Sequence, residues 1–174
     1  MERLILLLRG INVGGKNVLP IRELTRICAE LGGQNIRTYL QSGNVALDLV
    51  PAQAPKLADA VQRQLAAQFG LNVPIVTRNR LEVLDVLAHN PWPDCDPALL
   101  SVAFLAHAPT AAQIARLEPN RSPPDQFHVD GRAVYLHTPN GLGRTKLTNA
   151  WLDAKLTTIS TVRNWRTIGA LAEL

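Results

Sequence analysis

The order of apolar runs and helical periodicities along this chain predicts an α+β fold whose first half follows the βαββαβ, ferredoxin-like plan. Three observations carry that expectation. The run "LILLL" opens the chain as a buried strand. Segments with apolar residues at helical spacing then alternate with runs of β-branched and aromatic residues, and beyond the proline-rich "NPWPDCDPA" a similar order of elements recurs.

Taken in order, residues 3–8 form the first strand and "RGINVGGKN" a glycine-rich loop. A helix opened by Pro20 places Ile21, Leu24, Ile27, Cys28 and Leu31 on one face and stops at Gly32 and Gly33. "IRTYLQSGNVALDL" reads as two strands with a tight turn at "SGN", or as one strand with a bulge. From Pro55 to Phe69 a second helix spaces Leu57, Val61, Leu65 and Phe69 at steps of four, and "NVPIVTR" closes the unit as a strand. The helix "RLEVLDVLAHN" leads into the proline-rich residues 90–98, which mark the expected boundary between a ferredoxin-like domain, 1–90, and a second α+β domain, 91–174. In that second half, strand "LLSVAFLAH" precedes a helix from Thr110 to Leu117. Strands "QFHV" and "RAVYLHT" follow, joined by an Asp130-Gly131 turn. The helix "TKLTNAWLDAKL", a short strand "ISTV" and a final helix from about Asn164 complete the chain. No letter-for-letter repeat accompanies the similar order, so a duplicated plan rests on element order alone.

At 174 residues and 47% hydrophobic, the chain can bury a core as one domain or as two small ones. Its net charge of +4 points to an anionic partner without establishing one. Cys28 and Cys95 have no Cys or His neighbour at ligand spacing, so neither a disulfide framework nor a zinc site is expected, and no cofactor or metal is read from the sequence. The opening apolar run is too short for a signal peptide, and nothing approaches the roughly 20 apolar residues of a membrane helix. A cytoplasmic protein without a membrane partner, monomeric or homodimeric, is the resulting expectation.

"RGINVGGKN" has the spacing of a phosphate-cradling P-loop, except that Asn17 replaces the hydroxyl residue that binds magnesium. A P-loop also needs a helix that begins at once, so that its amides and dipole face the phosphates. Val18, Leu19 and Pro20 intervene, and Pro20 sets the helix start there. The glycines of the loop allow positive φ, whereas Arg9, Asn12, Lys16 and Asn17 surround free backbone amides as in an anion nest.

Similar combinations recur. In "TPNGLGRTKLTNAW", Arg144 and Lys146 sit at the start of a helix capped by Thr145 or a neighbour, where cations oppose the macrodipole unless a negative group compensates them. "TVRNWRTIG" groups Arg163, Asn164, Trp165 and Arg166, and arginine beside an aromatic suits single-stranded nucleic acid. The spacing of Trp165, Ile168 and Leu171 equally suits a packed helix face. Arg78 and Arg80 in "TRNR" read as a solvated helix start. Catalytic patterns are thin: Ser42 lies in a turn without a nucleophile-elbow context, and His128 has only Asp125 and Asp130 for a loose acid/base set. His107 and His137 could meet only if two strands brought them together.

"LLRGINVGGKN", "TYLQSGNV", "NPW", "PNGLGRTKLTN" and "TVRNW", in this order and over nearly the whole chain, resemble the bacterial family designated domain of unknown function 1697. The resemblance implies a cytoplasmic α+β protein with a ferredoxin-like N-terminal part; it brings no activity, cofactor or catalytic residue. The family's polar motif positions fall here on Arg9, Asn12, Gly14, Gly15 and Lys16, and on Gln41, Ser42, Gly43 and Asn44. They continue through Asn140, Gly141, Gly143, Arg144 and Lys146 to Arg163, Asn164 and Trp165. Thr145 stands where the family pattern has Ser, with the hydroxyl kept.

The functional expectation is that these motifs converge on a cleft between the two halves that binds a phosphate-bearing ligand, with nucleic acid, RNA or DNA, ahead of a small nucleotide. Arg9, Lys16, Arg144, Lys146 and Arg163 would meet phosphate, Asn12, Gln41 and Asn44 sugar or base edges, and Trp165 would stack. Two alternatives stay open. One is an enzyme acting on a small nucleotide or phosphorylated metabolite, with Ser42 or His128 in the chemistry. In the other the motifs are purely structural.

Overall fold

Leu4 to Leu8 in the first strand, β1 (Glu2–Leu8), are all buried. A strand hydrogen-bonded on both edges and covered on both faces has to be apolar at every position, and "LILLL" meets that requirement. The computed structural model describes residues 1–174. After β1 come α1 (Ile21–Glu30), β2 (Gln34–Tyr39), β3 (Asn44–Leu49), α2 (Ala54–Phe69), β4 (Ile75–Asn79) and α3 (Arg80–Ala88). The chain continues through β5 (Leu100–Leu105), α4 (Ala111–Ile114), β6 (Gln126–Asp130), β7 (Ala133–His137), α5 (Asn149–Leu156), β8 (Ser160–Asn164) and α6 (Trp165–Glu173). These elements divide into two units, one of Met1–Leu84 with Ala170–Leu174 and one of Asp85–Gly169, so the proline-rich residues 90–98 lie inside the second.

In the first unit the antiparallel sheet runs β2-β3-β1-β4, the ferredoxin-like order. Leu4, Leu6 and Leu8 of β1 and Val45, Leu47 and Leu49 of β3 point to one face, where Leu24, Ile27 and Cys28 of α1 and Leu57, Val61 and Leu65 of α2 close the core. Burial there pushes the Cys28 thiol up to about 12. α1 begins directly after Pro20, and α2 ends on Gly70 in the left-handed conformation. Of the two readings of "IRTYLQSGNVALDL", the first holds: β2 and β3 are two strands joined by a turn at "SGN", and the register shift within β2, between Gln34 and Arg37, lies away from that turn.

The second unit repeats the plan, its sheet running β6-β7-β5-β8. Ala103 and Leu105 of β5 and Val134 and Leu136 of β7 pack with Trp151, Leu152 and Leu156 of α5. The duplication inferred from element order is therefore a duplication of topology.

Three local expectations change. α4 is a single turn, ending at Ile114, although Thr110 and Gln113 cap it reciprocally as a capping box. α5 starts at Asn149, because Thr148 is extended and accepts the Trp151 N–H. Arg144 instead ends a separate 3-10 turn, Leu142–Arg144, and Thr145 turns its hydroxyl to the Leu147 N–H. Arg144 and Lys146 thus precede the helix, and no dipole demands a compensating anion beside them. Finally, β4 runs through Arg78, which is only 2% exposed and so is not a solvated helix start.

Gly43 decides whether the β2–β3 turn can sit on the sheet. At φ +81°, a Cβ there would lie 2.7 Å from the Leu8 Cβ and 2.9 Å from the Ile11 Cδ1, whereas one on Gly14, at φ +57°, would meet open space. Gly43→Ala is expected to cost about 3 kcal/mol, combining overpacking with backbone strain, and Gly14→Ala about 1 kcal/mol from strain alone. Urea denaturation of both variants measures the difference; equal losses would contradict the close-approach account.

Candidate functional site

The loop after β1 and the turn before β3 leave the same end of the first sheet, because Leu7 pairs with Asn44 and Leu8 with Ile75. Asn12 ties them together. Its Oδ1 accepts the Leu19 N–H at 2.8 Å, and its Nδ2 donates to the carbonyls of Leu19 and Gln41, each at 2.8 Å. Asn17 Nδ2 donates to the Gly10 carbonyl at 2.9 Å. Between these clamps Gly10, Asn12, Gly14, Gly15 and Asn17 all have positive φ, and Val13 bridges Lys16 at a hairpin tip. The tip is exposed, and the Lys16 ammonium there has no ion-pair partner. Arg9 is half-buried, its N–H donating to the Pro74 carbonyl.

The "QSGN" residues differ in accessibility. The Gln41 side chain is exposed, whereas Asn44 is fully buried and donates to the Tyr39 carbonyl at 2.9 Å and to Ser42 Oγ at 3.1 Å. Asn12 and Asn44 therefore give their amides to the chain itself.

In the second unit four segments share one end of the sheet. β5 begins there, with Leu100 opposite His137 and Ser101 opposite Asn164, and Gln126 opens β6 opposite His137. "PNGLGRTK" leaves β7 at this end, and "RNW" leaves β8. Asn140, Gly143, Arg144 and Lys146 are exposed, and neither cation has a carboxylate partner. Gly141 has φ +88° and closes a turn on the Thr138 carbonyl.

Arg163 is half-buried, its Nη1 donating to Thr161 Oγ1 at 2.8 Å and the Val162 carbonyl at 2.9 Å, and desolvation pushes its guanidinium down to about 10. Asn164 caps α6 by accepting the Thr167 N–H at 2.8 Å. Trp165 is half-buried and Arg166 exposed.

The same end carries a cleft of about 540 Å³ that sequence reasoning did not single out, lined by Trp92, Asn120, Pro123, Asp125, Gln126 and Phe127. It is joined to the cationic loop by two hydrogen bonds. The Lys146 N–H donates to Ser122 Oγ at 3.0 Å, and the Ser122 hydroxyl donates to Asp125 Oδ2 at 2.7 Å. The loop leading to Asn120 is braced by Glu118, which accepts from Trp151 Nε1 at 2.9 Å and Lys155 Nζ at 3.0 Å; these bonds hold its carboxyl below the usual range. "NPW" and "EPNRSPPD" were the available signals, but only folding brings them beside "GRTK".

The catalytic candidates stand apart from chemistry of their own. Ser42 Oγ bonds only the Asn44 amide, with no histidine or carboxylate attached. His128 is exposed on β6, its ring 6.3 Å from that of Tyr135. His107 and His137 lie at opposite ends of the sheet, since antiparallel pairing sets His137 beside Leu100 while His107 follows Leu105. No group of three or more His, Cys, Asp or Glu gathers as a metal set, and no helix is long and apolar enough to cross a membrane.

Two ferredoxin-like sheets, each with its polar motifs at one end, define an α+β protein of duplicated topology. The chain belongs to the family described as "Protein of unknown function (DUF1697)", whose model matches residues 1–135. Among solved structures it is similar to the conserved bacterial protein SP0830 from Streptococcus pneumoniae, with a TM-score of 0.74 and 22% identity over 99% of this chain and 97% of that chain. That likeness is one of fold. No curated protein matches the sequence.

The clamp and the tip of the first loop separate experimentally. Asn12→Ala leaves the part-buried N–H and carbonyl of Leu19 unsatisfied, while the exposed Gln41 carbonyl turns to water, and is expected to cost about 2 kcal/mol. Lys16→Ala, at an exposed tip, is expected to stay within about 0.5 kcal/mol of the parent. Thermal melting of the two variants reads this contrast, and a large loss for Lys16→Ala would assign the tip a structural role.

Proposed function

We propose that this protein binds nucleic acid, with the motif-bearing end of the second sheet as its main contact surface. Arg144 and Lys146 meet phosphate there, and Trp165 offers an aromatic face to a base. The observation that supports this most is the register of β5. By pairing with both β7 and β8, it sets the strand ends from which the "GLGRTK" and "RNW" segments leave two strand spacings apart, about 10 Å.

The cations are exposed and without carboxylate partners, so phosphate contact breaks no existing ion pair. The loop is anchored through the Lys146 N–H and Ser122, so less ordering entropy is lost on binding. Arg166 adds a further exposed cation beside Trp165, and the net charge of +4 favours an anionic polymer. In the first unit the pinned tip at Lys16, with the exposed Gln41 amide nearby through the Asn12 clamp, is a second contact of the same kind. Asn12, Asn44 and Asn164 act here as clamps and a cap, with no ligand contact required of them.

Fluorescence anisotropy with short labelled single-stranded RNA and DNA tests the reading. Affinity is expected to fall steeply between about 50 and 200 mM salt, and Lys146→Ala or Arg144→Ala to reduce the log–log slope by about one. Absence of binding to either polymer at low salt overturns it. So does an unchanged slope in both variants.

A further inference from the structure

The cleft beside Trp92 has a different chemistry from the cationic loop: one aromatic wall, Trp92, with a buried carboxylate and two exposed amides, and no lysine or arginine lining it. From this arrangement we infer that the cleft is a guanine-base pocket, an assignment that rests on the preceding reading only for the phosphate end of the ligand.

The Trp92 wall is held in place before any ligand arrives. Asn90 fixes the backbone of Trp92, its Oδ1 accepting the Trp92 N–H at 3.0 Å and its Nδ2 donating to the Trp92 carbonyl at 3.3 Å. The Trp92 ring rests against His137, centroid to centroid 5.7 Å. Phe127, which also borders the cleft, lies opposite Leu136 and packs edge-on against Trp151 at 5.7 Å, so its ring serves the core. A fixed aromatic face stacks a planar ring without losing side-chain freedom, and stacking of this kind is worth about 1–3 kcal/mol per base. A volume of about 540 Å³ accommodates a base with its sugar.

Asp125 selects among bases. It is only 9% exposed; Oδ2 accepts from Ser122 and keeps lone-pair capacity, while Oδ1 has no partner. A carboxylate only accepts, so the ligand has to bring donors. Guanine alone among the common bases sets two donors side by side, N1–H and the 2-amino group, matching the two oxygens of a carboxylate. Adenine and cytosine pair their amino group with a ring acceptor, which would face the carboxylate lone pairs. Uracil and thymine have one N–H between two carbonyls. Ser122 bonds both Asp125 and the Lys146 N–H, so a guanine nucleotide with its base on Asp125 has the Arg144–Lys146 loop at hand for its phosphate.

Isothermal titration and tryptophan-fluorescence quenching of the full chain with guanosine, the four ribonucleoside monophosphates, and matched oligonucleotides with and without one guanine test the assignment. Guanosine is expected to bind, and its monophosphate to bind at least about tenfold more tightly than the other three monophosphates, a difference of about 1.4 kcal/mol. Asp125→Asn, which turns an amide donor toward the guanine donors, is expected to erase that preference. Should that variant fail to fold, Trp92→Ala, which leaves the polar floor intact, is expected to weaken guanosine binding about tenfold or more.

A guanine oligonucleotide that binds more tightly than the monophosphate identifies the polymer as the source of the base; the reverse order identifies the free nucleotide, and both uphold the pocket. Guanosine that does not bind, four bases that bind equally, or a preference that survives Asp125→Asn overturns it. Guanosine carries no phosphate, so the two readings fail separately: salt-independent guanosine binding without polymer binding sustains the pocket alone. Salt-dependent polymer binding indifferent to guanine sustains the preceding reading alone.

Discussion

Antiparallel hydrogen bonding on both edges of β5 underlies the candidate surface of the second unit. Leu100 faces His137 across one edge and Ser101 faces Asn164 across the other, so three strand ends are drawn to one rim. The side chains of β5 are buried throughout, which ties this register to the core: a slip by one residue would turn Ala103 and Leu105 away from α5 and carry the rim with them. β1 plays the same part in the first unit, where it brings the glycine loop and the "QSGN" turn to one end.

On that scaffold, asparagine side chains do much of the local shaping. Asn12 joins two loops, Asn44 closes a turn, Asn90 holds the backbone of Trp92, and Asn79 and Asn164 cap α3 and α6. An amide offers a donor and an acceptor on one short stem, and asparagine tolerates the left-handed conformation, as at Asn12, Asn17 and Asn35. Such residues look like ligand groups when only polarity and spacing are known, since both uses need the same atoms. What separates them is whether the hydrogen-bond partner lies within the chain.

The duplicated topology extends to particular atoms. The last strand of each unit ends in Arg-Asn, with Arg78 Nη1 donating to the Thr77 carbonyl and Arg163 Nη1 to that of Val162. The following Asn caps the next helix through the N–H of Glu82 in one unit and of Thr167 in the other. Arg78 pairs with Ile5 and Arg163 with Val102, the corresponding positions of the two central strands. Two matching letters, "RN", carry this likeness, too few to mark a repeat before the registers are known.

Sequence alone determined the βαββαβ order of the first half and a similar order in the second, the start of α1 after Pro20, the buried faces of α1 and α2, and a hairpin turn at Gly131, because each depends on local periodicity, proline geometry or turn chemistry. It also carried the motifs "GINVGGKN", "QSGN", "GLGRTK" and "RNW". Tertiary structure alone decided which of those side chains are committed to the chain and which are exposed. It buried Asn44 and Arg78, moved the start of α5 to Asn149, separated His107 from His137, and set Trp92 and Asp125 around one cleft. The physical reason is that strand pairing joins residues far apart in sequence, and the register that joins them is set by burial on the whole sheet. A hydrogen-bonding side chain has no assigned partner until that register exists.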